Sequence, residues 1–101
     1  MSVETDRELL ELAANAARYQ YAKHGGYIVV DGIPGNWNPL SDDGDALRLA
    51  VKLEIDLWFG CGGLSAHGLA MDIEEDYGRD RCAATRRAIV RSAAEIGKAM
   101  P

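Results

Sequence analysis

The alternation of helical and strand-like periods along the chain is the feature that most constrains its fold. Three segments repeat their apolar residues every three or four positions, which is the period of a helix with one buried face. Short β-branched or alternating runs lie between them and give the order α-β-α-β-β-α. Because 101 residues amount to about one average domain, we predict a single α+β domain over residues 1–101, with about three strands in one sheet packed with helices.

The first and last helices have clear end signals. A capping box at Thr5 and Glu8 marks the start of the first, and a glycine pair favours its end near residue 23. The last helix is rich in alanine and is predicted over residues 81–96. Gly97 is expected to end it.

Three strands are predicted from short runs bounded by glycine or proline. The first covers residues 27–30 and is followed by a loop at 32–39, which contains two prolines and two glycines. The second covers residues 55–59 and leads into a glycine-rich turn at 60–63. A third strand at 69–73 is expected to pair with the second.

The second helix begins with a hydroxyl and three carboxylates. Ser41 is the predicted cap, and Asp42, Asp43 and Asp45 follow it, where the helix dipole favours negative charge. Apolar residues keep the helical period over residues 46–53. Helix capping is therefore sufficient to account for these carboxylates without a ligand.

Charge and hydropathy favour a cytoplasmic protein that does not bind nucleic acid. No apolar run approaches the roughly 20 residues that cross a bilayer, and residues 1–6 are acidic where a signal peptide would be basic. The net charge is −5, whereas a duplex-binding domain normally has a basic excess. We expect no membrane association, reduced Cys61 and Cys82, and a partner with a basic surface.

The sequence lacks a recognisable catalytic or metal-binding motif. His24, Cys61, His67 and Cys82 could ligate zinc, but no two of them form the tight pair typical of a structural site. Ser65 and His67 follow Gly63 in a pattern that lacks the last glycine of a nucleophile elbow. We therefore predict no enzyme activity, no metal and no cofactor.

Two groups of side chains are candidates for contact with a partner. The acidic helix start and the preceding loop form one group, and two arginines one turn apart on the last helix form the other. The candidate contact residues are Trp37, Asn38, Asp42, Asp43, Asp45, Arg87 and Arg91. Trp37 could fill the core or an interface, whereas Trp58 is expected in the core.

Two blocks of the sequence resemble the phage ABA-sandwich domain of small phage and prophage proteins. They are residues 37–53 (WNPLSDDGDALRLAVKL), the more distinctive block, and residues 83–90 (AATRRAIV). The similarity extends over roughly residues 5–98. It implies a phage origin and a helix-sheet-helix layering, but no catalytic residues. With a phage origin, the cytoplasm predicted above is that of the host cell.

Together these observations predict a phage accessory protein that binds a host or phage macromolecule. A protein partner is expected, and inhibition of a host defence, as by an anti-CRISPR protein, is one specific form. Two alternatives remain. One is a small enzyme or ligand-binding domain that uses the loop at residues 61–67, and the other is a structural module that forms a homodimer through the edge of its sheet.

Overall fold

The computed structural model describes residues 4–22, 26–30 and 32–100, and it confirms the α+β class. Elements of the described part follow the order α-β-β-β-α-β-β-β-α. The helices are α1 (Asp6–Ala16), α2 (Asp43–Leu53) and α3 (Arg81–Ala99). The strands are β1 (Gln20–Ala22), β2 (Tyr27–Val30), β3 (Ile33–Asn36), β4 (Asp56–Phe59), β5 (Gly63–His67) and β6 (Asp72–Asp76).

The strands form two antiparallel sheets of three rather than the single sheet predicted. One sheet has the order β1-β2-β3 and the other β4-β5-β6. β1 is only three residues long, too short to show an alternation in the sequence. Pro34 and Gly35 made the 32–39 segment look like a loop, but β3 lies at the edge of its sheet, where a proline need not break a ladder hydrogen bond.

The first helix ends at Ala16 and not near residue 23. Its capping box is present as predicted, with the Glu8 backbone N–H donating to the Thr5 side chain. Ala17 is the C-cap, and Arg18 then takes a positive φ of 62°, which redirects the chain into β1. Glycine usually fills that conformation, so an arginine there gives no signal in the sequence.

The prediction for residues 69–73 is wrong, because β5 is the strand that pairs with β4. Residues 60–63 do form the predicted turn, and the Gly60 N–H donates to the Gly63 carbonyl at 2.8 Å. β5 follows this turn directly, and Trp58 lies opposite Ser65 in the ladder. Residues 69–71 instead connect β5 with β6.

The last helix continues through Gly97 to Ala99, so the predicted end is wrong. Gly97 is buried, and a Cβ atom added to it would overlap the backbone oxygen of Leu12 on α1. The glycine is therefore required by the close approach of two helices rather than by the end of one. The core around this contact contains many alanines, including Ala13, Ala88 and Ala93.

Candidate functional site

The carboxylates at the start of α2 hold the local structure together. The cap is Asp42 rather than Ser41, because the Asp42 carboxylate accepts the Asp45 N–H at 2.8 Å. Asp45 accepts the Asn38 N–H at 2.9 Å, and its side chain is 13% exposed. A hydrogen bond to Asp45 also raises the pKa of Arg48. Asp42 and Asp45 thus have partners within the chain.

Asp43 and the arginines of α3 are also paired within the chain. Asp43 lies 2.6 Å from Arg86, whose Nε donates to the Leu40 carbonyl at 2.8 Å. This contact ties the loop before α2 to α3. The predicted contact residues Arg87 and Arg91 bind other carboxylates, as given by the 2.9 Å distance from Arg87 to Asp6 and the 2.5 Å distance from Arg91 to Glu75.

The two tryptophans occupy opposite environments. Trp37 is 5% exposed and makes edge-to-face contacts with Tyr19 and Tyr21, each with ring centroids 5.9 Å apart. Trp58 is 66% exposed, so its predicted place in the core is wrong. The reason is positional: β4 is an edge strand, and Trp58 points away from α3. The neighbouring Phe59, on the other face of the strand, is 63% exposed.

A signal for this exposure is present in the sequence of β4. Leu57, Trp58 and Phe59 are apolar in succession, and side chains alternate between the faces of a strand. In a strand with only one buried face, apolar and polar residues would alternate along the sequence. Two consecutive aromatic residues cannot both face the same core, so this run indicates that one of them lies on the other face of the sheet.

The outer face of the β4-β5-β6 sheet is acidic. Leu64, Ala66 and Ile73 are buried on its inner face. The register therefore places the alternate residues of the three strands outside, and they include Asp56, Trp58, Ser65, His67, Asp72, Glu74 and Asp76. No lysine or arginine stands at these outer positions.

His67 at these outer positions contacts both an acidic and an aromatic neighbour. Its Nδ1 lies 2.9 Å from the Asp72 carboxylate, and its ring makes an edge-to-face contact with Trp58 at 5.6 Å between centroids. Asp72 thus holds the His67 ring, and the ring supports one side of the Trp58 indole, which is otherwise largely in solvent. The indole of Trp58 is therefore held in place on one side and is accessible to a partner on the other.

The ladder between β4 and β5 leaves backbone groups of β4 free. Gly60 and Gly63 close the turn with a hydrogen bond, and hydrogen-bonded pairs then alternate along an antiparallel ladder. Trp58 is consequently bonded to Ser65, whereas the N–H and C=O of Leu57 and Phe59 point to the open side. In the described part, no turn, loop or cap bond uses them.

A cavity of about 430 Å³ lies beside the inner face of β4. α2, β4 and α3 each contribute to its wall. Its apolar lining includes Ala46, Leu47, Leu57, Phe59, Tyr77 and Ile89. Leu47 is itself 61% exposed, so the apolar surface extends from the cavity onto α2.

The described part of the chain contains no metal-binding cluster. No group of three or more His, Cys, Asp or Glu side chains there could hold a metal ion, and His24 lies outside the described residues. Ser92 is buried, and within residues 4–22, 26–30 and 32–100 its hydroxyl has no partner. A Cβ atom at Gly68 would overlap that hydroxyl, so Ser92 marks a close packing contact.

Comparison with protein-family models, with curated proteins and with solved structures gave no match to this chain. Among the described helices, none is long and apolar enough to span a bilayer. Function is therefore inferred from the chain's own residues, and the surface of β4 is the strongest candidate site.

Proposed function

We propose that this chain acts by binding another protein and that β4 is the centre of the contact surface. The observation that carries the proposal is the exposure of Trp58 and Phe59 on an edge strand. Aromatic side chains dominate the energetics of many interfaces, and an edge strand can pair with a second chain. Single exposed apolar residues are common, but β4 exposes a large aromatic side chain on each of its faces, Trp58 on the outer face and Phe59 on the inner face, where Phe59 also lines an apolar cavity. The edge of the sheet is therefore an apolar patch.

The other edge of the same sheet supports the choice of β4. β6 is rich in carboxylates, and charged side chains protect an edge strand from unwanted pairing. β4 has one charged residue, Asp56, and three apolar ones. The two edge strands thus differ in their number of charged side chains, and charge is what hinders pairing with another strand.

An accessory protein that occupies a surface of a host complex would act through such a patch. The resemblance to phage proteins makes inhibition of a host defence or regulatory complex the specific form that we favour. The partner in that case is a protein of the host cytoplasm.

The test compares wild type with Trp58→Thr/Phe59→Thr and with the control Leu69→Thr. Threonine keeps strand propensity, and Leu69 is more exposed than either aromatic residue but lies outside β4. Each protein is used to capture partners from host lysate. The molar mass of each protein in solution is measured by light scattering. We expect a partner that wild type and the Leu69 variant retain and the double variant loses. Equal capture by all three would reject β4 as the contact surface.

A further inference from the structure

We propose that the occupant of β4 is an extended segment of the partner that adds to the sheet as a fourth strand, with lysine or arginine at every second position and apolar residues between them. This inference rests on the proposed function, because it names the partner's chemistry at the same surface. Three features of β4 carry it: its free backbone groups, the acidic outer face beside it and the apolar cavity beneath it.

The free backbone groups set the register of the added strand. The N–H and C=O of Leu57 and Phe59 are open, and a residue opposite each would exchange two hydrogen bonds with it in an antiparallel pair. The ladder stops before Leu57, since the Ile55 N–H already donates to the Ala50 carbonyl at 2.9 Å. The contact is therefore short, and side chains must supply much of its selectivity.

The outer face selects positive charge on the added strand. Asp56, Glu74 and Asp76 lie at its outer positions and make no ion pair among the residues that the structure describes. Side chains of the new strand that point to this face lie nearest to Asp56 and Trp58. Lysine and arginine gain there from the carboxylates and can also stack on the indole.

The inner face selects apolar residues at the alternate positions. Residues opposite Leu57 and Phe59 share their face of the sheet, which borders the cavity between α2 and α3. An apolar side chain there would contact Phe59 and Leu47, which are exposed in the free chain. The strand period of two thus matches a basic outer set and an apolar inner set.

The same charges disfavour a second copy of this chain as the occupant. Each copy has a net charge of −5 and would bring its own Asp56 to the joint sheet. β4 also offers no basic residue to the outer face of its neighbour. A dimer would therefore leave the carboxylates uncompensated, which costs free energy at low ionic strength.

The test uses synthetic peptides of alternating lysine and valine, with alternating glutamate and valine as the charge control. Binding to the full chain is measured by calorimetry over a range of salt concentrations. We expect the lysine peptide to bind at least about tenfold more tightly than the glutamate peptide, with an affinity that falls as salt rises. Equal affinities, or no binding of the lysine peptide, would overturn the inference.

Backbone methylation distinguishes strand addition from a simple electrostatic contact. Valines would lie opposite Leu57 and Phe59, so N-methylation of the valines removes the donors to β4. N-methylation of the lysines changes groups that point away and is the matched control. We expect binding to be lost with the first peptide and kept with the second. Equal binding of the two methylated peptides would overturn strand addition.

Variants of the protein locate the peptide. Asp56→Asn should weaken binding of the lysine peptide several-fold, whereas Asp80→Asn removes the same charge at the α3 cap, where asparagine also caps, and should change it little. If Asp80→Asn weakened binding of the lysine peptide more than Asp56→Asn did, the peptide would bind elsewhere on the protein. The proposed function is tested separately by capture from lysate. It fails if the Trp58→Thr/Phe59→Thr variant retains the same partner as wild type. A dimer that forms through β4 in wild type would replace the basic segment with a second copy.

Discussion

The contact between α1 and α3 and the surface of β4 distribute apolar side chains in opposite ways. Where the two helices meet, many of the buried residues are small, as at Ala13 and Gly97. On β4, the large side chains of Trp58 and Phe59 lie largely in solvent. Apolar surface lowers the free energy of folding only when it leaves water, by about 25 cal/mol per Å². The helix contact therefore serves stability, and the aromatic residues of β4 contribute little to it.

The largest expected effect comes from the two tryptophans, because they compare a buried aromatic side chain with the exposed one on β4. Trp37→Ala should lower the free energy of unfolding by about 3–5 kcal/mol, because it empties a buried site between Tyr19 and Tyr21. Trp58→Ala should lower it by less than about 1 kcal/mol, since the indole is already in solvent. Urea denaturation of both variants measures the difference. Similar losses for the two would show that β4 is part of the core.

The helix contact itself is tested by Gly97→Ala. The added methyl group overlaps the Leu12 backbone, and overpacking of this kind costs about 1–3 kcal/mol despite the better helix propensity of alanine. Gly35→Ala is the control, because a Cβ atom there meets no atom within 4 Å. We expect the midpoint of urea unfolding to fall for the first variant and to stay near wild type for the second. Equal midpoints for the two variants would mean that α1 and α3 lie further apart than the structure places them.

Asp45→Ala tests whether a carboxylate with partners inside the chain contributes to stability, as the helix contact does. Asp45 accepts hydrogen bonds from Asn38 and Arg48, and bonds to a charged group contribute about 1.5–3 kcal/mol where they are shielded from solvent. Partial exposure reduces this, so we expect a loss of about 1 kcal/mol. Asp76→Ala removes an exposed carboxylate of β6 and should change stability by less than about 0.5 kcal/mol. If Asp45→Ala were neutral, its carboxylate would again be a candidate for partner contact.

The sequence predicted the helices better than the strands, and this too follows from the two regions. Caps and helical periods are local, so the capping box at Thr5 and the buried faces of the helices could be predicted. Strand pairing depends on residues distant in sequence, and the short β1 and the proline in β3 hid the first sheet. Gly97 shows the same limit, because its role depends on Leu12 in another helix.

The site was harder to predict than the fold because residue type does not reveal an edge. The carboxylates of α2 were candidates by charge, yet Asp42, Asp43 and Asp45 all have partners within the chain. Residue type alone predicts that Trp58 lies in the core. Its exposure depends on which face of the sheet the helices cover and on which strand ends the sheet, and both are set by tertiary structure.

The smallest expected effect is a pH dependence where the start of the described chain meets the end of α3. Lys98 hydrogen-bonds Glu4 and lowers the pKa of that carboxyl below its ordinary value of 4.5. Glu4 in turn raises the pKa of Lys98, with a smaller contribution from Glu95. Both side chains are close to solvent, so the effect is reduced by screening.

The signs of the two shifts define where this contribution is lost. A carboxyl with a lowered pKa stabilises the folded state above pH 4.5, and the contribution disappears as pH falls through the lowered pKa. A lysine with a raised pKa stabilises it below pH 10.5, and the contribution disappears as pH rises through the raised pKa. Lys98→Met should therefore be less stable than wild type between these limits and should approach it at acid pH. The comparison uses urea midpoints measured across pH for wild type, Lys98→Met and Glu4→Gln. Parallel curves of midpoint against pH for all three proteins would exclude the Glu4–Lys98 pair as a source of stability at the helix contact.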